Sequence, residues 1–254
     1  ALARRADLYE DGFYTQSLIS FRRGAAKAAI DEMEILEPLE GFKKRNKKYF
    51  KALDKRTVQY NGQEIPAHKA MMLYLTLGRE QAQGGLAASG FSFEQNDKTM
   101  RIDGFAPEGN LRGEALSERA AEVQQTLYEQ FNQTDKEFVA IAREIFNKQC
   151  RDKKIAADKL IKGFSNIVSG EYAPIRRSNI ARKLETDSWT SEWDSVSDAS
   201  FNRDTVQGAK GELLIEDLET VVYRHVKGIA LYANLAPVLE NYNRLLNIDI
   251  SGNP

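Results

Sequence analysis

Cysteine and histidine are nearly absent: the 254 residues include one cysteine, Cys150, and two histidines, His68 and His225. A single thiol excludes an intramolecular disulfide framework and any zinc site built on several cysteines. Two histidines leave little room for Ser–His–Asp chemistry, and no Gly-x-Ser-x-Gly turn accompanies them. His225 falls on the apolar side of a helical pattern, which suits a core histidine, while His68 follows Pro66 in a first helical turn and suits surface or capping use. A charge excess is lacking too. Lys and Arg total 36 against 37 Asp and Glu, a formal net charge of −1, which argues against a surface that grips nucleic acid all over. No apolar run approaches the roughly 20 residues that cross a bilayer, so no membrane span is expected. Ala1-Leu2-Ala3-Arg4-Arg5 does not have the layout of a signal peptide. Gly84-Gly85 and Gly208-Ala209-Lys210-Gly211 have neither P-loop nor dinucleotide-binding spacing. Asp31, Glu32, Glu34, Glu37 and Glu40 spread around a helix and no Glu-x-x-His pair occurs, so neither a metal nor a cofactor is expected.

What is present is helical periodicity. Residues 2–11 and 15–53 read as helix, with breaks expected near Gly12, Gly24 and Pro38. Asn61-Gly62 is a hairpin dipeptide, since both residues tolerate positive φ, and Thr57-Val58 and Glu64-Ile65 would be its strands. A helix from Pro66 to Gly78 buries Ala70, Met71, Leu73, Tyr74 and Leu77, and a shorter one covers residues 80–89. Phe91, Phe93, Met100 and Ile102 alternate with polar residues about an Asn96-Asp97-Lys98 turn, a second hairpin. A loop with Pro107, Gly109 and Asn110 follows. Leu116, Ala120, Val123, Leu127 and Phe131 then form one stripe, and Thr134-Asp135-Lys136-Glu137 has the form of a capping box. Phe138, Ile141, Ala142, Ile145 and Phe146 share the next face, continued by Ile155, Leu160, Ile161 and Phe164. A short connection predicts antiparallel packing of these two helices. Residues 186–208, with Trp189, Trp193 and Phe201, read as an ordered loop, and residues 211–228 and 231–246 as closing helices, with a kink or break at Pro237. The expected fold is mainly α, an irregular multi-helix bundle with one or two small β-hairpins. The expected division is an N-terminal helical segment over residues 1–56 and a helical core domain over 57–250, with the hairpin near 91–105 as an insertion. The missing initial methionine and the closing Ser251-Gly252-Asn253-Pro254 are expected of a piece excised from a longer chain.

Three basic tracts carry the binding candidates. The first holds Lys43, Lys44, Arg45, Lys47, Lys48, Lys51 and Lys55, with Tyr49 and Phe50 interleaved. The second holds Arg151, Lys153, Lys154, Lys159 and Lys162, and the third Arg176, Arg177, Arg182 and Lys183. Converging in space, they would track phosphates; taken singly, each reads as a solvated face balanced by nearby acids. The corner Gly170-Glu171-Tyr172-Ala173-Pro174-Ile175-Arg176-Arg177 interrupts the helices. Tyr172 and Pro174 would plug the core there, and the paired arginines would meet carboxylates or a phosphate.

The order of these features resembles a mainly helical domain of unknown function in the very large polyvalent proteins of bacteriophages and conjugative elements. The residues that carry it are Ala67-His68-Lys69-Ala70-Met71-Met72-Leu73-Tyr74-Leu75-Thr76-Leu77-Gly78, the corner at Gly170, Ser200-Phe201-Asn202-Arg203, Tyr223-Arg224-His225 and Asn243-Arg244-Leu245-Leu246. Gly78-Arg79 departs from the Gly-Asn of that pattern. The resemblance covers the chain from about Tyr60 onward and carries over no catalytic residues. It implies a non-catalytic interaction or scaffold module, delivered with DNA, in the phage virion or the bacterial host cytoplasm. Its partners would be other domains of the parent protein, other virion proteins, or DNA. Two alternatives stand beside it: a nucleic-acid-binding module using the basic tracts, and an unrecognised hydrolase or transferase with a site near Tyr172, Arg176, Arg177 and His225.

Overall fold

The computed structural model describes residues 13–106, 111–165, 171–177 and 213–246. The first half holds α1 (Phe13–Arg45), α2 (Lys47–Leu53), β1 (Thr57–Tyr60), β2 (Gln63–Pro66), α3 (Ala67–Leu77) and α4 (Glu80–Ser89). After β3 (Phe91–Gln95) and β4 (Lys98–Ile102) come α5 (Gly113–Gln130), α6 (Gln133–Glu144), a π-helical turn (Ile145–Cys150) and α7 (Arg151–Lys162). The last elements are β5 (Arg176–Arg177), β6 (Leu213–Leu214) and α8 (Leu218–Leu246). The mainly α architecture with small β-hairpins is the one expected. Residues 2–11, the loop at 107–110, Gly170, Arg182, Lys183, the 186–208 loop and the Gly208–Gly211 turn lie outside the described residues.

α3 organises the centre. Its sequence is apolar on all sides, and ten of its eleven residues are buried, as a helix enclosed by others must be. α4, α5, α6, α8 and the first hairpin all pack on it. Outside this layer α1 and α8 run antiparallel: Lys43 meets Glu219, Tyr223 donates to Glu40, and Asn234 Nδ2 donates to Asp31 Oδ2 at 2.8 Å. Ile35, Leu36, Leu39, Phe42 and Leu53 join one core with residues of α3 to α6 and α8, so the packing runs across the division expected near residue 56.

Several local expectations change under packing. Gly24 and Pro38 lie inside α1 without ending it. Gly24 serves a close approach, since a Cβ there would stand 2.7 Å from the Asn234 carbonyl oxygen and 2.9 Å from a Leu235 methyl. Gly24→Val is expected to cost about 1–3 kcal/mol by overpacking the α1–α8 crossing. Chemical denaturation checks this, and an unchanged midpoint would mean that the two helices part freely. α8 likewise runs unbroken through Gly228 and Pro237, and Leu214 belongs to a strand, not to the helix expected from residue 211. α5 and α6 do not form the expected antiparallel pair. Phe131 and Asn132 are extended and turn the chain, so α5 packs on α3, α4 and β1 while α6 packs on α1 and α3.

The capping box is displaced by two residues. Asn132, not Thr134, is the cap: its Oδ1 accepts from the Asp135 amide at 2.8 Å, and Asp135 Oδ2 accepts from the Asn132 amide at 2.9 Å. Asparagine caps as well as threonine, and this register buries Asp135 where it meets Arg56.

Both hairpins form at the expected turns, with positive φ at Asn61 and Gly62 in the first and at Asn96 and Asp97 in the second. The second is no appendage. β6 pairs parallel with β3 and antiparallel with β5, giving the order β4-β3-β6-β5, and Phe91 and Phe93 are buried. The continued stripe on α7 fails in part, because Leu160 and Phe164 are 71% and 57% exposed.

Candidate interaction surface

The chemically versatile side chains are buried or half-buried. His225, on α8, is half-buried with its Nε2 shut off from solvent, beside Phe146 and Tyr172, with ring centroids 5.6 Å and 5.5 Å away. Burial pushes its pKa down to about 3, the neighbouring Arg224 charge adding to the effect. Cys150 is fully buried, and burial pushes its thiol up to about 12, which removes the thiolate that reactive cysteines need. His68 is not a free surface group: its Nε2 lies 2.8 Å from Asp217 Oδ1, just before α8, and this contact holds the Asp217 pKa low. Among the described residues no group of three His, Cys, Asp or Glu is placed to hold a metal ion, and no helix is long and apolar enough to cross a membrane.

The corner docks on three elements. The Tyr172 amide donates to Asn147 Oδ1 at 2.6 Å in the π-helical turn, and Arg79 donates to the Ala173 carbonyl at 3.0 Å while lying over the Tyr172 ring. Pro174 and Ile175 border a shallow depression with Met72, Thr76 and Arg224 that has room for about one water molecule. Arg176 and Arg177 form β5, paired with Leu214 and Leu213.

The basic tracts separate into cations used inside the protein and cations turned outward. Lys43 lies 2.5 Å from Glu219 and 3.0 Å from the Tyr223 hydroxyl, over the Tyr223 ring. Burial opposes its charge, but these partners outweigh burial and raise its pKa. Lys154 is wholly buried, donating to Asp158 at 2.7 Å with its ammonium 4.0 Å from the Tyr232 ring centroid. Tyr232 donates to the same Asp158 oxygen at 2.6 Å. Burial lowers the Lys154 pKa, and the Lys154 and Tyr232 hydrogen bonds hold the Asp158 carboxyl low despite burial. Lys153 pairs with Asp31 of α1 at 2.9 Å. Of the anion-binding candidates, Lys43, Lys153 and Lys154 are thus engaged by carboxylates of the protein itself. Arg151 is half-buried on the same helix.

The first and second tracts lie apart. The second is anchored at Asp31, 13 residues before Lys44 on α1, a distance of about 20 Å along a helix. Lys159 and Lys162 of the second tract are also exposed, Lys162 lying 3.7 Å from Asp158, but the larger outward group is in the first tract. Lys44, Lys47, Lys48, Lys51 and Lys55 are exposed, and Arg45 makes a loose 3.9 Å contact with Glu137. They face outward because the opposite side is held. Phe42 stacks on Phe138 at 5.8 Å, Phe50 meets both rings edge-on, and Leu53 is buried. The Tyr49 hydroxyl donates to Asp135 Oδ1 at 2.6 Å, and Arg56 grips both Asp135 oxygens at 2.7 and 2.6 Å.

Sequence reasoning missed this clamp. Arg56 was given no role, and Asp135 entered only as a member of the Thr134–Glu137 sequence. The available signal was an acid at the third helical position followed by Phe138 and Val139, a helix start bound for the interior.

No family model, no curated protein and no solved structure matches this chain.

Proposed function

We propose that this chain is a non-catalytic interaction module of a large phage or mobile-element protein, holding neighbouring domains of that protein or other virion proteins. The observation that supports this reading is an apolar outer face on α1. Ile19, Ile30 and Met33 are 41%, 55% and 73% exposed at helical spacings of eleven and three. They share one side of the helix, opposite the side packed on α8. Large apolar side chains aligned on a helix face suit contact with another protein. Cys150 is meanwhile enclosed by packing, and His225 is half-buried with its Nε2 shut off from solvent. Phage context comes from the sequence resemblance.

The test is site-specific photo-crosslinking within the full parent protein in host cells, with the photoreactive residue at Met33 or Leu160. Crosslinks from both sites to other domains of the same chain, or to virion proteins, are expected. A control at exposed Glu64 on the first hairpin should give few. Equal yields at all three positions, or none at any, would sink the reading.

A further inference from the structure

We propose that the outward lysine face of residues 44–55 docks on a nucleic-acid phosphate backbone; this rests on the reading as an interaction module and names a partner for it. Lys44, Lys47, Lys48 and Lys51 are spaced by three, one and three residues, which sets them on one side of a helix, and Lys55 follows in the turn after Leu53. The face continues across Asn46 between α1 and α2, because the Asn46 amide still donates to the Phe42 carbonyl at 3.0 Å and the Phe50 amide to the Asn46 carbonyl at 3.2 Å. All five lysines are exposed, and none meets a carboxylate among the described residues at ion-pair distance. Asp54 is the only acid within residues 43–56. The result is five cations over about three 5.4 Å turns, or about 16 Å.

That arrangement fits a repeating polyanion better than a single carboxylate. Ammonium groups act as point charges without the fork geometry of arginine, so each can meet whichever phosphate lies nearest. Base recognition is not provided. Tyr49 and Phe50, the aromatic residues that would stack on bases, are turned into the Phe42–Phe138 cluster. The contact is therefore with the backbone and blind to sequence. An anionic membrane fits less well, because an interfacial helix must insert its apolar face, and here Phe42, Tyr49, Phe50 and Leu53 already pack on the core.

The experiment is fluorescence anisotropy of the full chain with labelled duplex and single-stranded oligonucleotides of mixed sequence, titrated over a range of salt. Binding at low salt is expected, with a log–log salt slope of about −4 on duplex if most of the five lysines neutralise phosphates. The combined Lys44→Gln, Lys47→Gln, Lys48→Gln and Lys51→Gln variant should lose about 100-fold or more in affinity at low salt and fall to a slope of about −1. Its circular dichroism and melting should match the parent, and the same four positions changed to arginine should bind as the parent does. No binding at low salt, undiminished binding by the glutamine variant, failure of the arginine variant, or tighter binding to phosphatidylserine vesicles would each overturn the proposal. The crosslinks from Met33 and Leu160 are independent of these outcomes, so loss of this inference leaves the module reading to its own test.

Discussion

Asp135→Ala is expected to destabilise the fold by about 3–5 kcal/mol, the range for breaking a buried ion pair by removing one partner. The carboxylate is fully buried and accepts four hydrogen bonds: from the Tyr49 hydroxyl, from both Arg56 nitrogens and from the Asn132 amide. Alanine would leave the Arg56 charge facing an emptied site, strand the Tyr49 hydroxyl, and undo half of the α6 cap. Three elements meet at this carboxylate, so α2, the start of β1 and the start of α6 should loosen together. The lysine face would loosen with them, because Tyr49 helps to anchor its underside. Chemical denaturation of the single variant gives the loss, and a value below about 1 kcal/mol would mean that water replaces the carboxylate. Adding Arg56→Met should recover part of the loss, since the orphaned charge is then gone as well.

A second large effect should appear on acidification. His225 has a folded-state pKa of about 3 against an ordinary 6.5, because burial disfavours the imidazolium. Above the ordinary value the histidine is neutral in both states and contributes no pH dependence. As pH falls below it, the unfolded chain takes up a proton that the folded chain refuses, so stability drops until the folded pKa is reached. Relative to about pH 7.5, the loss works out at about 2 kcal/mol at about pH 5, and it approaches about 5 kcal/mol below pH 3. His225→Leu removes the titrating group while keeping an apolar filling. The difference between parent and variant stability, measured across that range, isolates the histidine from the carboxylates. Parallel curves would mean that the folded state accommodates the proton, and the enclosure by Phe146 and Tyr172 would then be looser than the distances suggest.

These two sites show how unevenly the molecule can be read from its residues. The inward side of α8 that holds His225 was legible, because Leu218, Val221, Val222 and His225 repeat at helical spacing. The clamp at Asp135 was not, because Tyr49 and Arg56 approach it across more than 75 intervening residues. The same division holds among the lysines. Lys43 and Lys44 are adjacent and chemically identical, yet one is paired with Glu219 of α8 and the other faces outward. Lys153 and Lys154 have similar surroundings in sequence, and one is spent on Asp31 while the other is enclosed with Asp158 and Tyr232.

The sequence by itself determined what local physics decides. Both hairpin turns followed from residues that tolerate positive φ, α4 and its stop at Gly90 from periodicity and a glycine, and the core faces of α5 and α6 from their stripes. Tertiary structure alone decided whether Gly24 and Pro38 would interrupt α1, how β6 enters beside β3, and which cations remain outward. The reason is one of range. Turn and stripe signals act over a few residues, whereas a glycine's close contact, a strand's neighbour and a lysine's counterion depend on which distant helix arrives beside them.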